Sequence, residues 1–241
     1  PDPVVKLIDF EHPERNTFHA INQFRIDTPG CVKEFIIPDI VLFVNGIPLV
    51  IVEAKIGDAT TANPMHAAFE QLLRYRDGRK ETKAAGLREG EPRLFHTNLL
   101  LISTCGEKAT YGGITSGYEH FYAWKDIWPE RYRDYTPPLG IEREQERLIQ
   151  GILPPETLLH LLRTCSVFMD TDSGKRVKVV CRYQQYRAAC RIIDRLRAGK
   201  TSLERSGVVW HTQGSGKSLT MVFVARMIRA AADLADFKIL L

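Results

Sequence analysis

Asp39, Glu53 and Lys55 lie in an Asp-x13-Glu-x-Lys pattern whose residue types could cut a phosphodiester. Hydrolysis of that bond with Mg2+ needs hard oxygen ligands for the cation and a cation or base beside the attacking water. Asp39 and Glu53 supply the carboxylates, and Lys55 is placed to orient or activate the water. Charged side chains are seldom fully buried, so Glu53 and Lys55 at the end of the apolar run Leu49-Val50-Ile51-Val52 are unexpected in a simple core strand. Gln71 and Tyr75 follow, four residues apart and so on one face of a helix, able to reach a metal site or a DNA phosphate together. The plain alternatives are a surface hairpin with a salt bridge and an amphipathic helix with a tyrosine at its core edge.

A second group lies far along the chain, where Val208-Val209-Trp210 runs into Gly214-Ser215-Gly216-Lys217-Ser218. A nucleoside triphosphate needs converging backbone N–H groups, glycines that admit the main chain to the phosphates, a lysine for the β/γ charge and a hydroxyl on Mg2+. Gly214, Ser215, Gly216, Lys217 and Ser218 meet that need, with His211 where the first glycine of the full pattern would stand. Arg182-Tyr183-Gln184-Gln185-Tyr186-Arg187-Ala188 resembles the glutamine motif that contacts adenine in superfamily 2 helicases. Gln185 is the expected contact and Gln184 its alternative by register. A solvated glutamine pair and a glycine turn before an ordinary helix are the plain readings.

These residues must be held by particular elements. Turn residues divide strands predicted over 4–10, 18–26, 35–44 and 49–55, in a mixed or antiparallel sheet. Asn63-Pro64 caps a helix over 65–76 that stops at Gly78. A strand over 94–104 is apolar on both faces and so interior. Helices follow over 158–168 and 183–196, then a strand at 208–210 and a helix over 219–232. The chain's last residues, 237–241, also read as strand. The first site makes a sharper demand. If Asn45-Gly46 were a two-residue hairpin loop in regular register, Val44 would pair with Ile47 and Asp39 would fall opposite Val52, on the wrong face from Glu53. A three- or five-residue loop, or a β-bulge, is therefore predicted in this hairpin.

The 241 residues, 44% hydrophobic, suffice for one large domain or two modest ones. A net charge of +4, from 33 basic against 29 acidic residues, allows a basic groove without requiring a nucleic-acid partner. The five cysteines are scattered without a Cys-x-x-Cys pair, which fits a reducing cytoplasm and no structural metal. The longest apolar stretch, 40–52, is broken by Asn45-Gly46 and Pro48 and is too short for a bilayer span. No signal peptide is expected at Pro1, and both ends read as cuts from something longer. Pro137-Pro138 marks a change of composition, giving an endonuclease domain over 1–136, a helical linker over 137–170 and the beginning of a motor domain over 171–241.

Pro38-Asp39 with Glu53-Ala54-Lys55 and the Gln71/Tyr75 pair resembles the PD-(D/E)xK nucleases. Together with 16–23, 38–46, the 182–188 motif and Trp210-His211-Thr212-Gln213-Gly214, these motifs are similar to the restriction subunit of type I restriction-modification enzymes along nearly the whole chain. The resemblance implies an α/β fold: a nuclease-like mixed sheet flanked by helices, then the start of a RecA-like P-loop domain. It implies a Mg2+-dependent endonuclease joined to an ATP-driven translocase of duplex DNA, cutting unmodified foreign DNA away from the recognition site. Its partners would be methyltransferase and specificity subunits. By the same resemblance Asp39, Glu53 and the Ala54 carbonyl bind Mg2+, Lys55 is catalytic, and Gln71 and Tyr75 support cutting; His211 is itself a family feature. Glu11 and Glu14 are candidates for an additional acidic residue that some members bring from an N-terminal helix. No Walker B acidic pair or second motor lobe follows, so this chain is expected to hold nucleotide without translocating. The competing classes are a non-catalytic DNA-binding or assembly module and a DNA-repair nuclease-helicase.

Overall fold

The computed structural model describes residues 6–57, 61–78, 80–127, 143–171, 173–234 and 236–240. The elements are, in chain order, β1 (Phe18–Asn22), β2 (Ile26–Asp27), β3 (Phe35–Ile36), β4 (Ile40–Val44), β5 (Ile47–Lys55), α1 (Pro64–Arg76), α2 (Lys80–Ala84), β6 (Leu100–Cys105) and β7 (Lys108–Gly112). They are followed by α3 (Glu144–Ile152), α4 (Pro155–Thr164), β8 (Ser166–Asp170), β9 (Arg176–Val180), α5 (Tyr183–Ala198), α6 (Ser202–Arg205) and α7 (Lys217–Ala230). Five strands form one mixed sheet in the order β1-β4-β5-β6-β7, in which β5 and β6 run parallel and the other pairs antiparallel. A parallel neighbour demands a crossover, and α1 provides it.

Period-two alternation sorts the sheet's side chains between two apolar layers. On one face Val41, Ile51 and Leu101 pack with Phe69, Leu72 and Tyr75 of α1. On the other, Val44, Val50, Val52, Leu100 and Ile102 join a core that continues through Trp124, Leu148, Leu158, Tyr186 and Phe223. With both faces covered, 49–52 reads as an unbroken apolar run. Burying each of these large aliphatic side chains contributes about 1.5–3 kcal/mol.

Asn45 (φ +50°) and Gly46 (φ +79°) form the left-handed pair of a two-residue turn, with Val44 opposite Ile47. The register then shifts: Phe43 pairs with Pro48 but Leu42 with Val50, leaving Leu49 as the extra residue of a β-bulge. Of the predicted alternatives the bulge is present and the longer loop is not, and Asp39 and Glu53 continue one face, in line with the Val41–Ile51 pair. Asn63 caps α1 by accepting from the His66 N–H, and Gly78 follows at φ +125°.

Several predicted elements differ. Residues 6–10 form no strand, and Val4 and Val5 lie outside the described residues. The 18–26 and 35–44 segments each split: Gln23 turns the chain at φ +51°, and Pro38, which has no N–H, interrupts the second. The 94–104 segment begins as a 3-10 turn at Pro92–Phe95 and becomes strand at Leu100. The helix over 158–168 ends at Thr164, because Val167 and Phe168 belong to the β8–β9 hairpin. Residues 208–210 are no strand: no described neighbour hydrogen-bonds with them, and Val208 and Trp210 are each 91% exposed. Residues 237–240 form no strand either, and Leu241 lies outside the described residues. So does the 136/137 boundary with its proline pair; within 137–170 the described elements are α3, α4 and β8. Among the described residues no helix is long and apolar enough to cross a membrane.

Candidate metal centre and phosphate loop

β5 delivers Glu53 and Lys55 to the edge of the α1 layer. Glu53 is 2% exposed, and one of its carboxylate oxygens, Oε1, accepts from the Lys55 ammonium. The other, Oε2, is buried without a partner. Burial pushes the Glu53 carboxyl up to about 7; the Lys55 hydrogen bond and charge pull it down, and the Asp39 charge raises it. Asp39 sits in the bend before β4. Its Oδ2 accepts from the Ala54 N–H at 2.8 Å and its Oδ1 from the Gln23 amide at 2.9 Å. The acid from one strand thus grips the backbone between the acid and the lysine of the other.

α1 closes this side. The Gln71 amide donates to the Tyr75 hydroxyl at 2.9 Å, and that hydroxyl donates to the Ile37 carbonyl at 2.7 Å, two residues before Asp39. Burial raises the Tyr75 hydroxyl above its usual range. Asp39, Glu53, Lys55, Gln71 and Tyr75 are therefore linked through one contiguous set of contacts. Glu11 and Glu14 do not join it: Glu11 pairs with Lys6 and Arg163, and Glu14 with His12.

The sequence reading missed three neighbours. Gln23 touches Asp39 with both backbone and side chain, a pairing that depends on strand register. Arg74 is buried, donates to Gln71 Oε1 at 3.3 Å, lies 4.8 Å from the Tyr75 ring centroid and keeps Nη1 unpartnered. It stood within the Gln-x-x-x-Tyr span but resembled an ordinary surface arginine. Ser103, opposite Glu53 in the parallel ladder, has a buried hydroxyl without a partner.

An Mg2+ ion fits these donors. Glu53 Oε2 is a buried acceptor without a proton to receive, and each Asp39 oxygen holds one donor, with lone-pair capacity left over. Among the described residues no group of three or more His, Cys, Asp and Glu surrounds one point. Two carboxylates suit Mg2+, which usually keeps several waters.

In the glycine loop, Gly214 (φ +76°) and Gly216 (φ +82°) take left-handed backbone, and Lys217 and Ser218 open α7. Gln185 is buried; its amide donates to the Gly216 carbonyl at 3.0 Å, and its oxygen caps α5 by accepting from the Arg182 N–H. A Cβ on Gly216 would come within 2.5 Å of that amide. Gln185, rather than Gln184, thus faces the loop. A cavity of ≈ 390 Å³ adjoins it, walled by Tyr122, Val179, Arg182, Gln185 and Gly214–Gly216.

Comparison with known proteins matches residues 2–120 to the family described as type I restriction enzyme R protein N terminus, and residues 184–241 to the SWI2/SNF2 ATPase family. The chain is 33% identical to the type I restriction enzyme HindI endonuclease subunit of Haemophilus influenzae, over 97% of this chain and 21% of that protein. It is 28% identical to a putative type I restriction enzyme MjaIXP endonuclease subunit of Methanocaldococcus jannaschii, over 92% of the chain and 21% of the relative. A third, from Staphylococcus saprophyticus, is 23% identical over 95% of the chain and 21% of its own length. The chain spans about a fifth of the length of these relatives. Carrying the Asp39–Glu53–Lys55 group inside the matched segment, the chain belongs to the type I restriction enzyme R protein N-terminus family.

Proposed function

We propose that the chain carries the Mg2+-dependent endonuclease centre, and the beginning of the ATP-driven motor, of a type I restriction subunit that cuts unmodified duplex DNA in the cytoplasm. The observation that carries this reading is the bulged hairpin, which sets Asp39 and Glu53 on one face with Lys55 and beside the Gln71–Tyr75 pair. Asp39, Glu53 and the Ala54 carbonyl would hold Mg2+, whose chemistry is to polarise the scissile phosphate and offset its developing charge. Lys55 orients the attacking water; that water's oxygen bonds to phosphorus and gives up a proton to solvent as the bond to the leaving sugar oxygen breaks and that oxygen takes a proton from solvent. Gln71 and Tyr75 fix the bend at Ile37 that presents Asp39.

Gly214, Ser215, Gly216, Lys217 and Ser218 are proposed to cradle the ATP phosphates, with Gln185 next to the base. The SWI2/SNF2 match over 184–241 supports this, as do the left-handed glycines at the head of α7. The domain division follows the same lines: nuclease over 1–136, linker over 137–170, motor beginning at 171. Methyltransferase and specificity subunits would choose the DNA site. The test is linearisation of an unmodified plasmid by the complete subunit with those partners, Mg2+ and ATP. Cutting should stop with a chelator and with Lys217→Ala, the latter with ATP hydrolysis. Cutting that persists in excess chelator contradicts the metal, and ATP turnover by Lys217→Ala contradicts the loop assignment.

A further inference from the structure

Gln23 occupies an unusual position. Among the described residues, Gln23 and Asn45 are the non-glycine residues with positive φ, and Asn45 belongs to the hairpin turn. Such backbone costs about 1–3 kcal/mol and persists where the surroundings enforce it, often at functional sites. At Gln23 the enforcing contacts all lead to one place. Its N–H donates to the Asp39 carbonyl at 2.8 Å, the following N–H of Phe24 reaches the Pro38 carbonyl at 3.2 Å, and its side-chain amide donates to Asp39 Oδ1 at 2.9 Å. The Asp39 carboxylate is therefore clamped from two sides, by Gln23 at Oδ1 and by the Ala54 N–H at Oδ2.

We infer that Gln23 is a positioning residue that fixes the Asp39 carboxylate for divalent-cation binding; the inference rests on the metal-centre reading above. An amide is suited to this work. It donates to a carboxylate without bringing a charge that would compete with the cation, and it leaves lone pairs on both Asp39 oxygens free. Without Gln23 the carboxylate keeps the Ala54 N–H alone and can rotate, so the cation must order it on binding. Outer hydrogen bonds of this kind change metal affinity by about 10–100-fold.

The experiment is calorimetric titration of Mn2+, in the absence of DNA, into the 241-residue chain and into Gln23→Gly, Gln23→Asn and Asp39→Ala, with thermal unfolding of each. Glycine accepts positive φ, so Gln23→Gly removes the amide while relieving the backbone. It should unfold no lower than wild type yet bind Mn2+ at least tenfold more weakly. Gln23→Asn tolerates the same backbone but has a shorter side chain, and should weaken binding too. Asp39→Ala should abolish it. Wild-type affinity in Gln23→Gly overturns the inference and leaves the metal centre standing if Asp39→Ala fails to bind. Mn2+ binding that is absent in wild type, or unchanged in Asp39→Ala, overturns the metal centre and the inference with it.

Discussion

Glu53 shows most directly how a proposed site residue works against the fold that holds it. A carboxyl that is 2% exposed, with one oxygen unpartnered, is costly to ionise unless a cation arrives. Its folded value of about 7 lies above the ordinary 4.5, so between those values the folded chain binds more protons than the unfolded one. Its contribution is present below pH 4.5 and lost as pH rises through 7. In chain free of divalent metal, Glu53→Gln should therefore gain stability relative to wild type between pH 5 and pH 8. Unfolding midpoints measured across that range check this, and a pH-independent difference would contradict it. The residue types were legible in the sequence: Asp39, Glu53, Lys55, Gln71 and Tyr75 all fall in one linked group. Gln23 and Ser103 were not legible, because nothing local in the chain announces a contact made by register across strands.

At the scale of elements, the bulge at Leu49 decides whether Asp39 and Glu53 share a face of the sheet. The sequence required some irregularity between Asp39 and Glu53, but Asn45-Gly46 predicts the turn alone and cannot say where the extra residue lies. Hairpins and helices held by local signals, such as the Asn63 cap of α1, were readable. Elements defined by distant partners, such as the β8 strand taken for the end of a helix, were not. The end of α1 carries a further constraint. A Cβ on Gly90 would collide with the carbonyl oxygens of Tyr75 and Arg74. Those are backbone atoms that cannot swing aside, so Gly90→Ala should cost about 1–3 kcal/mol by overpacking. It should also displace Tyr75 and reduce cutting by the complete subunit. An unfolding midpoint equal to wild type would show that the helix end gives way freely.

At the scale of the whole molecule, the sheet that carries the candidate metal centre on its α1 face packs through its opposite face against the helix that follows the glycine loop. The apolar cluster on the face of the sheet away from α1 runs from Val44 and Val50 through Tyr111 and Trp124 to Phe223 and Met227 of α7. Polar ties reinforce it: the Tyr111 hydroxyl donates to the Cys181 carbonyl at 2.8 Å, and the Arg182 guanidinium lies over the Tyr122 ring and donates to its hydroxyl at 2.5 Å. The composition change at Pro137-Pro138 marks the proposed division of the chain, while long-range packing of this kind leaves no mark on local composition. The chain should unfold in a single calorimetric transition. Tyr111→Phe, which leaves a buried carbonyl without its donor, should lower stability by about 1–3 kcal/mol without splitting that transition. Two resolved transitions in wild type would contradict a shared core.

The central claim is that Asp39, Glu53 and Lys55 form the cutting centre and that the glycine loop serves a separate step. The most direct measurement runs plasmid cutting and ATP hydrolysis side by side in the complete subunit with its partners, for wild type, Asp39→Ala, Glu53→Ala and Lys55→Ala. Each variant is expected to lose cutting by at least a hundredfold while hydrolysing ATP at the wild-type rate. Undiminished cutting by all three would contradict the account.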